Sequence, residues 1–146
     1  MLFLKISYVD LWLCATLGIV FSLILPTYNE AENIPALLEG IAGVLADIEY
    51  EVIIVDDDSK DETWRIAQQL ARTNPRVRVI RRVGRRGLSS AVIEGFLVAK
   101  GDVLGVMDAD GQHDITLLTK LYSTVHSLSL RHIGRVRRRL EWRSRW

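Results

Sequence analysis

Four short apolar runs alternate along this chain with longer segments of helical periodicity, and that alternation leaves few folds open. Ile19–Leu25, Glu51–Val55, Val77–Ile80 and Val103–Met107 are short and rich in β-branched residues, the pattern of strands buried in a sheet. Between the first two, Ile34, Leu37, Leu38, Ile41, Val44, Leu45 and Ile48 recur at three-to-four spacing and predict a helix over about residues 30–47. Pro35 falls early enough in it to be tolerated. Trp64, Ile66, Ala67, Leu70 and Ala71 predict a second helix, opened by Ser59 or Asp61 and stopped by Asn74-Pro75. Leu88–Ala99 reads as a third helix, and a fourth begins near Asp114. Strands alternating with amphipathic helices predict an α/β domain of three layers, with a mainly parallel sheet and right-handed crossovers.

At 146 residues the chain suffices for one domain with a real core. Its charge is unevenly spread. Residues 1–125 carry 12 basic and 17 acidic residues, whereas residues 126–146 carry seven arginines and one acid, Glu141. Such a shift marks a boundary, so the sequence divides into residues 1–18, an atypical apolar extension, residues 19–125, the α/β domain, and residues 126–146, an Arg-rich tail. The uncharged stretch Leu11–Leu25 has 15 residues, short of the ~20 that span a bilayer, and no clear small-residue cleavage site follows it. The expectation is a cytoplasmic protein, soluble or peripheral at the cytoplasmic face of a membrane. Cys14 is the single cysteine and sits in an apolar run, as a buried small hydrophobe would.

In parallel α/β sheets ligands bind beyond the carboxyl ends of the strands. Three polar segments fall there: P-T-Y-N-E (Pro26–Glu30), D-D-D-S (Asp56–Ser59) and D-A-D-G-Q-H (Asp108–His113). The last is the most telling. A strand ending there points alternate side chains the same way. Asp108 and Asp110 then share a side, and Gln112 follows them if the backbone stays extended. Grouped oxygen ligands suit a hard cation such as Mg²⁺ or Mn²⁺, whose open positions phosphate oxygens commonly fill. Taken alone, two acids with one residue between them are equally well a solvated turn. Asp56 reads as a capping or core-facing acid and Asp58 as a solvated turn residue. Arg81, Arg82, Arg85 and Arg86 form a basic loop, ordinarily solvated surface, with phosphate contact as the alternative. His113 is more often solvated than ligand-bound in such a loop. No G-x-G-x-x-G and no P-loop motif occurs, and His113, His126 and His132 have no zinc-ligand spacing.

Leu25–Ile34, Ile53–Thr63, Gly87–Gly95 and Met107–His113, in this order and spacing, resemble family 2 glycosyltransferases, and within them the dolichol-phosphate mannose synthase group. The resemblance covers about Ile19 to Leu121. Asp114 departs from it where similar proteins often carry Pro, and Ser89 where they carry a Gly-like residue. The resemblance implies a GT-A, Rossmann-like domain, incomplete at its C-terminal side, that binds a nucleotide-sugar (GDP-mannose or a UDP-sugar) with Mg²⁺ or Mn²⁺. It implies that Pro26, Tyr28 and Glu30 wrap the nucleotide, and that Val55 and Asp57 contact base and ribose. Asp108, Ala109, Asp110 and Gln112 would meet the diphosphate, with the metal held by Asp108, Asp110 and Gln112 and with Asp108 and Asp110 as the catalytic pair. The reaction it implies is inverting transfer of a sugar to a polyprenyl (dolichyl) phosphate. An acceptor phosphate is already ionised and needs no general base, which fits the lack of an obvious His or Ser dyad.

Beyond about Ser123 the motifs end, and the tail reads as a frameshifted or truncated terminus. Two other readings therefore stay open. One is an inactive fragment that binds at most nucleotide and metal, its sheet left with an unpaired edge. The other is a binder of nucleic acid or anionic membrane through the tail arginines with Trp142 and Trp146; a disordered tail is the better-supported view of that segment, and nucleic acid is not an expected partner.

Overall fold

The computed structural model describes residues 2–5, by their backbone course, and residues 21–127. Five strands form one sheet in the order β1-β5-β2-β3-β4: β1 (Leu2–Lys5), β2 (Phe21–Thr27), β3 (Tyr50–Asp56), β4 (Val77–Arg81) and β5 (Val103–Val106). β5, β2, β3 and β4 run parallel, and β1 lies antiparallel on the outer edge of β5. The α/β class with a mainly parallel sheet is thus as expected. Residues 2–5, part of the stretch read as an apolar extension, pair with β5. Edge pairing uses backbone groups, so the apolar patterning that marks the central strands does not announce it. β1 occupies the outer edge of β5.

Helices α1 (Ile34–Val44), α2 (Thr63–Thr73) and α3 (Leu88–Val98) follow β2, β3 and β4, and residues 117–127 are helical after β5. α1 is shorter than its apolar stripe predicts. Residues 31–33 form a turn in which the Asn33 and Ile34 amides donate to the Glu30 carbonyl, and turn residues 45–47 carry Leu45 into the core. Pro35 sits in the first turn of α1, where its missing N–H costs nothing.

The central strands β2 and β3 are buried along their whole length, and their side chains alternate between two cores. Phe21, Leu23, Leu25, Tyr50, Val52 and Ile54 face α1, α2 and the helical residues after β5. Ile24, Ile53, Val55 and Val106 face α3. α3 approaches closely because Gly95 has no side chain: a Cβ there would stand 2.6 Å from Ile24 Cγ2. Among the described residues no helix is long and apolar enough to cross a membrane. Residues 11–20 of the uncharged stretch, Cys14, and residues 128–146 of the tail lie outside the described residues.

Candidate functional site

The carboxyl ends of β2, β3 and β5 meet at a cavity of about 300 Å³, lined by Pro26, Thr27, Tyr28, Glu30, Asp57, Leu88, Ala91, Asp108, Ala109 and Asp110. All three polar segments therefore contribute to one place. Its first wall is the β2–α1 loop, which is laced to the β3–α2 loop. The Asn29 amide donates to Ser59 Oγ, the Glu30 amide to Thr63 Oγ1 and the Ala31 amide to an Asp61 carboxylate oxygen, while the Lys60 amide donates to Asn29 Oδ1. Asn29 and Asp58 make these turns with positive φ, which short polar side chains tolerate. Beneath the loops Asp56 is fully buried and accepts from Thr27 Oγ1, the Ser59 amide and Ser59 Oγ. It is the core-facing acid of the D-D-D-S turn.

Asp61 is the outer stitch of this lacing. Burial alone pushes its carboxyl up, but hydrogen bonds from the Thr63 hydroxyl and from the Ala31 and Thr63 amides together hold it below the usual 3.8. A carboxyl lowered by folding stabilises the fold above the unfolded pKa and loses that contribution as pH falls through the folded one. Wild-type protein is therefore expected to lose more stability between about pH 5 and pH 2 than Asp61→Asn does, read as urea midpoints across that range. Equal acid sensitivity of the two proteins would refute this role.

The second wall, Asp57, is held from behind by a residue that sequence reasoning placed at the surface. Arg82 is 1% exposed. Its Nη1 donates to Asp57 Oδ1 and to the Gly87 carbonyl, its Nη2 to Ser90 Oγ and its Nε to Glu94. Asp57 Oδ2 accepts the Gly87 amide at 2.7 Å. Gly87 has φ +132°, which suits glycine, and there the chain turns into α3. Asp57 thus anchors the 82–87 loop as well as lining the cavity, and the loop sets Leu88 and Ala91 against it. The remaining arginines differ from one another. Arg81 pairs with Asp58 and stacks over Trp64 at 3.8 Å, Arg85 pairs with Glu94, and Arg86 lies over the Tyr28 ring at 4.8 Å.

The third wall is Asp108–Asp110. Ala109 is buried while Asp108 and Asp110 are exposed on the cavity side, as strand alternation requires. Gly111, at φ +70°, then turns the chain, and the Gln112 amide donates to Asp110 Oδ1 at 3.0 Å. The backbone does not stay extended to Gln112, whose side chain is exposed and does not line the cavity. Val55 does not line it either, since its side chain is fully buried in the α3-facing core. The other seven residues implied as substrate-binding do line it. Thr27, Leu88 and Ala91 line it too and were not singled out from sequence.

The donors fit a hard cation. Asp108 is half exposed, with His113 Nε2 at 3.5 Å, and Asp110 keeps one oxygen clear of the Gln112 bond. Among the described residues no group of three or more His, Cys, Asp or Glu stands ready to hold a metal. A cation here would take two carboxylates and complete its shell from water or ligand oxygens.

The family model for glycosyl transferase family 2 matches residues 22–139. The chain belongs to glycosyl transferase family 2. The match runs past Leu121, where the motif resemblance ended, into the Arg-rich segment. A dolichol-phosphate mannosyltransferase of Pyrococcus furiosus is 50% identical over 113 residues, 77% of this chain and 32% of that protein. A dolichol-phosphate mannosyltransferase of Saccharomyces cerevisiae is 41% identical, over 75% of this chain and 42% of that protein. An undecaprenyl-phosphate mannosyltransferase of Micrococcus luteus is 39% identical, over 73% and 44%. The family 2 chain thus spans less than half the length of these relatives. Among solved structures, a mannosyltransferase of Pyrobaculum calidifontis in complex with GDP-Man and Mn²⁺ matches with TM-score 0.53 and 30% identity over 62% of this chain and 27% of that one. TarS 1-349 of S. aureus matches with TM-score 0.61 and 25% identity, over 75% and 33%. The GT-A fold implied by the motifs is the fold the chain shares with these glycosyltransferases.

Proposed function

We propose that this chain forms the donor-binding part of a metal-dependent, inverting glycosyltransferase that moves a hexose from a nucleotide-sugar to a polyprenyl phosphate. The observation that carries the reading is the convergence of three strand ends on one carboxylate-lined cavity. Two relatives named for dolichol phosphate, one named for undecaprenyl phosphate and a neighbour solved with GDP-Man and Mn²⁺ support it. GDP-mannose is the donor this reading favours, with a UDP-sugar as the competitor. Action on a lipid phosphate would place the protein at the surface of a membrane.

The residues divide the work by position. Tyr28, from the first wall, offers an aromatic face to the base or ribose. Asp57 is oriented by Arg82 and the Gly87 amide and keeps lone pairs for a ribose hydroxyl or base N–H. Asp108 and Asp110 would hold a cation, Mn²⁺ or Mg²⁺, which when bound would offset charge on a departing nucleoside diphosphate. Gln112, turned outward by Gly111, would reach the cation only after its loop rearranges. Val55 would contact ligand through main chain alone.

Calorimetry with GDP, GDP-mannose, UDP and UDP-glucose, each with Mn²⁺, Mg²⁺ or EDTA, tests the reading. Metal-dependent binding with a preference between the two bases is expected. An absence of metal-dependent binding at millimolar nucleotide would sink it. Transfer to a short-chain polyprenyl phosphate, followed by chromatography, decides whether this length of chain turns over.

A further inference from the structure

The four arginines of the 81–86 segment are not equivalent. Arg81 is taken by Asp58, Arg82 by Asp57 and Glu94, and Arg85 by Glu94. Among the described residues Arg86 has no carboxylate partner and no hydrogen bond; its guanidinium rests over the Tyr28 ring. Tyr28 lines the cavity, as does Leu88 two residues beyond Arg86, so this cation stands at the cavity mouth. The fold holds it there. Gly87, the next residue, is tied by its amide to Asp57 and by its carbonyl to Arg82. Among the described residues, the cavity itself is lined by the carboxylates of Glu30, Asp57, Asp108 and Asp110 and by no Lys or Arg. An anion entering such a wall needs positive charge beyond a single divalent cation.

We propose that Arg86 is a phosphate-contacting residue at the mouth of this cavity, held ready by the ring of Tyr28. This rests on the donor-site reading above. A guanidinium over an aromatic face keeps its N–H edge free while the ring stabilises its charge, and that edge matches the oxygens of a phosphoryl group. The phosphate belongs either to the nucleotide or to a lipid phosphate acceptor.

The test compares wild type, Arg86→Gln and Arg86→Lys, all in Mn²⁺, with guanosine, GDP, inorganic pyrophosphate and a short-chain polyprenyl phosphate in detergent. Arg86 is exposed, so all three proteins should unfold at similar temperatures. If the nucleotide supplies the phosphate, Arg86→Gln weakens GDP and pyrophosphate at least tenfold and leaves guanosine within twofold, and Arg86→Lys recovers part of the loss. If the acceptor supplies it, only the polyprenyl phosphate weakens. Unchanged affinity for all the phosphate ligands overturns the proposal. Should wild type bind no nucleotide, the donor-site reading fails by itself. Arg86-dependent binding of pyrophosphate or polyprenyl phosphate would then still support the contact, and binding of neither would overturn it.

Discussion

Arg82→Met is expected to cost about 3–5 kcal/mol of folding free energy, the range for removing one partner of a buried ion pair. Four of the five guanidinium N–H bonds are used, on Asp57, Gly87, Ser90 and Glu94. Methionine fills a similar space but donates nothing. Glu94 keeps Arg85, whereas Asp57, 8% exposed, would keep only the Gly87 amide for a buried charge. The cost should therefore fall mainly on Asp57, and a second change tests this. Adding Asp57→Asn to Arg82→Met should return part of the loss, since a neutral amide is cheaper to leave underbonded than a carboxylate. Arg82→Lys should lie between, because a single ammonium cannot span the same four acceptors. Urea unfolding at pH 7 reads all three. A loss under about 1 kcal/mol in Arg82→Met, the scale of an exposed pair, would mean that the network does not hold the 82–87 loop.

The local sequence around Arg82 does not distinguish it from its neighbours. Within R-R-V-G-R-R every arginine looks alike, and a basic run is ordinarily solvated. What separates them is long-range. β3 and β4 pair in parallel with Asp56 opposite Arg81, which sets Asp57 beside Arg82 one step further along. The same logic places Thr27 opposite Asp56 and Ser22 opposite Glu51, and both pairs are hydrogen-bonded. Once two strands are taken as parallel neighbours, polar residues at matching register are candidates for buried pairs. That signal is present in the sequence, but only at long range. The strands and helices themselves were legible, to within a few residues at their ends, because apolar periodicity is local and strong. The cavity carboxylates were legible because they lie within four residues of strand ends. Gln112 stands off the cavity because one glycine, Gly111, decides whether the chain runs on or turns. Val55 was named by motif, and alternation along β3 sends its side chain into the core. Leu88 and Ala91 became cavity wall through the packing of α3, which no local pattern encodes.

Asp110→Asn is expected to lower GDP affinity in Mn²⁺ by at least tenfold, about 1.4 kcal/mol, and to leave affinity in EDTA nearly unchanged. The substitution keeps size and shape, and the carbonyl oxygen of the new side-chain amide still accepts the Gln112 N–H that Asp110 Oδ1 accepts now. What it removes is one of two charges available to a hard cation, for which an amide is a weaker ligand than a carboxylate. Stability without ligand should hold or rise slightly, since the charge facing Asp108 is reduced and no buried bond is lost. Asp58→Asn is the matched control. Asp58 pairs with Arg81 outside the cavity, with both side chains about a third exposed, so the change should cost at most about 1 kcal/mol of stability and no metal-dependent affinity. The split between Mn²⁺ and EDTA is the decisive readout. A variant that merely loosened the loop would lose affinity in both. A variant equal to wild type in Mn²⁺ would return Asp108–Asp110 to a polar turn and remove the cation from the donor-site reading.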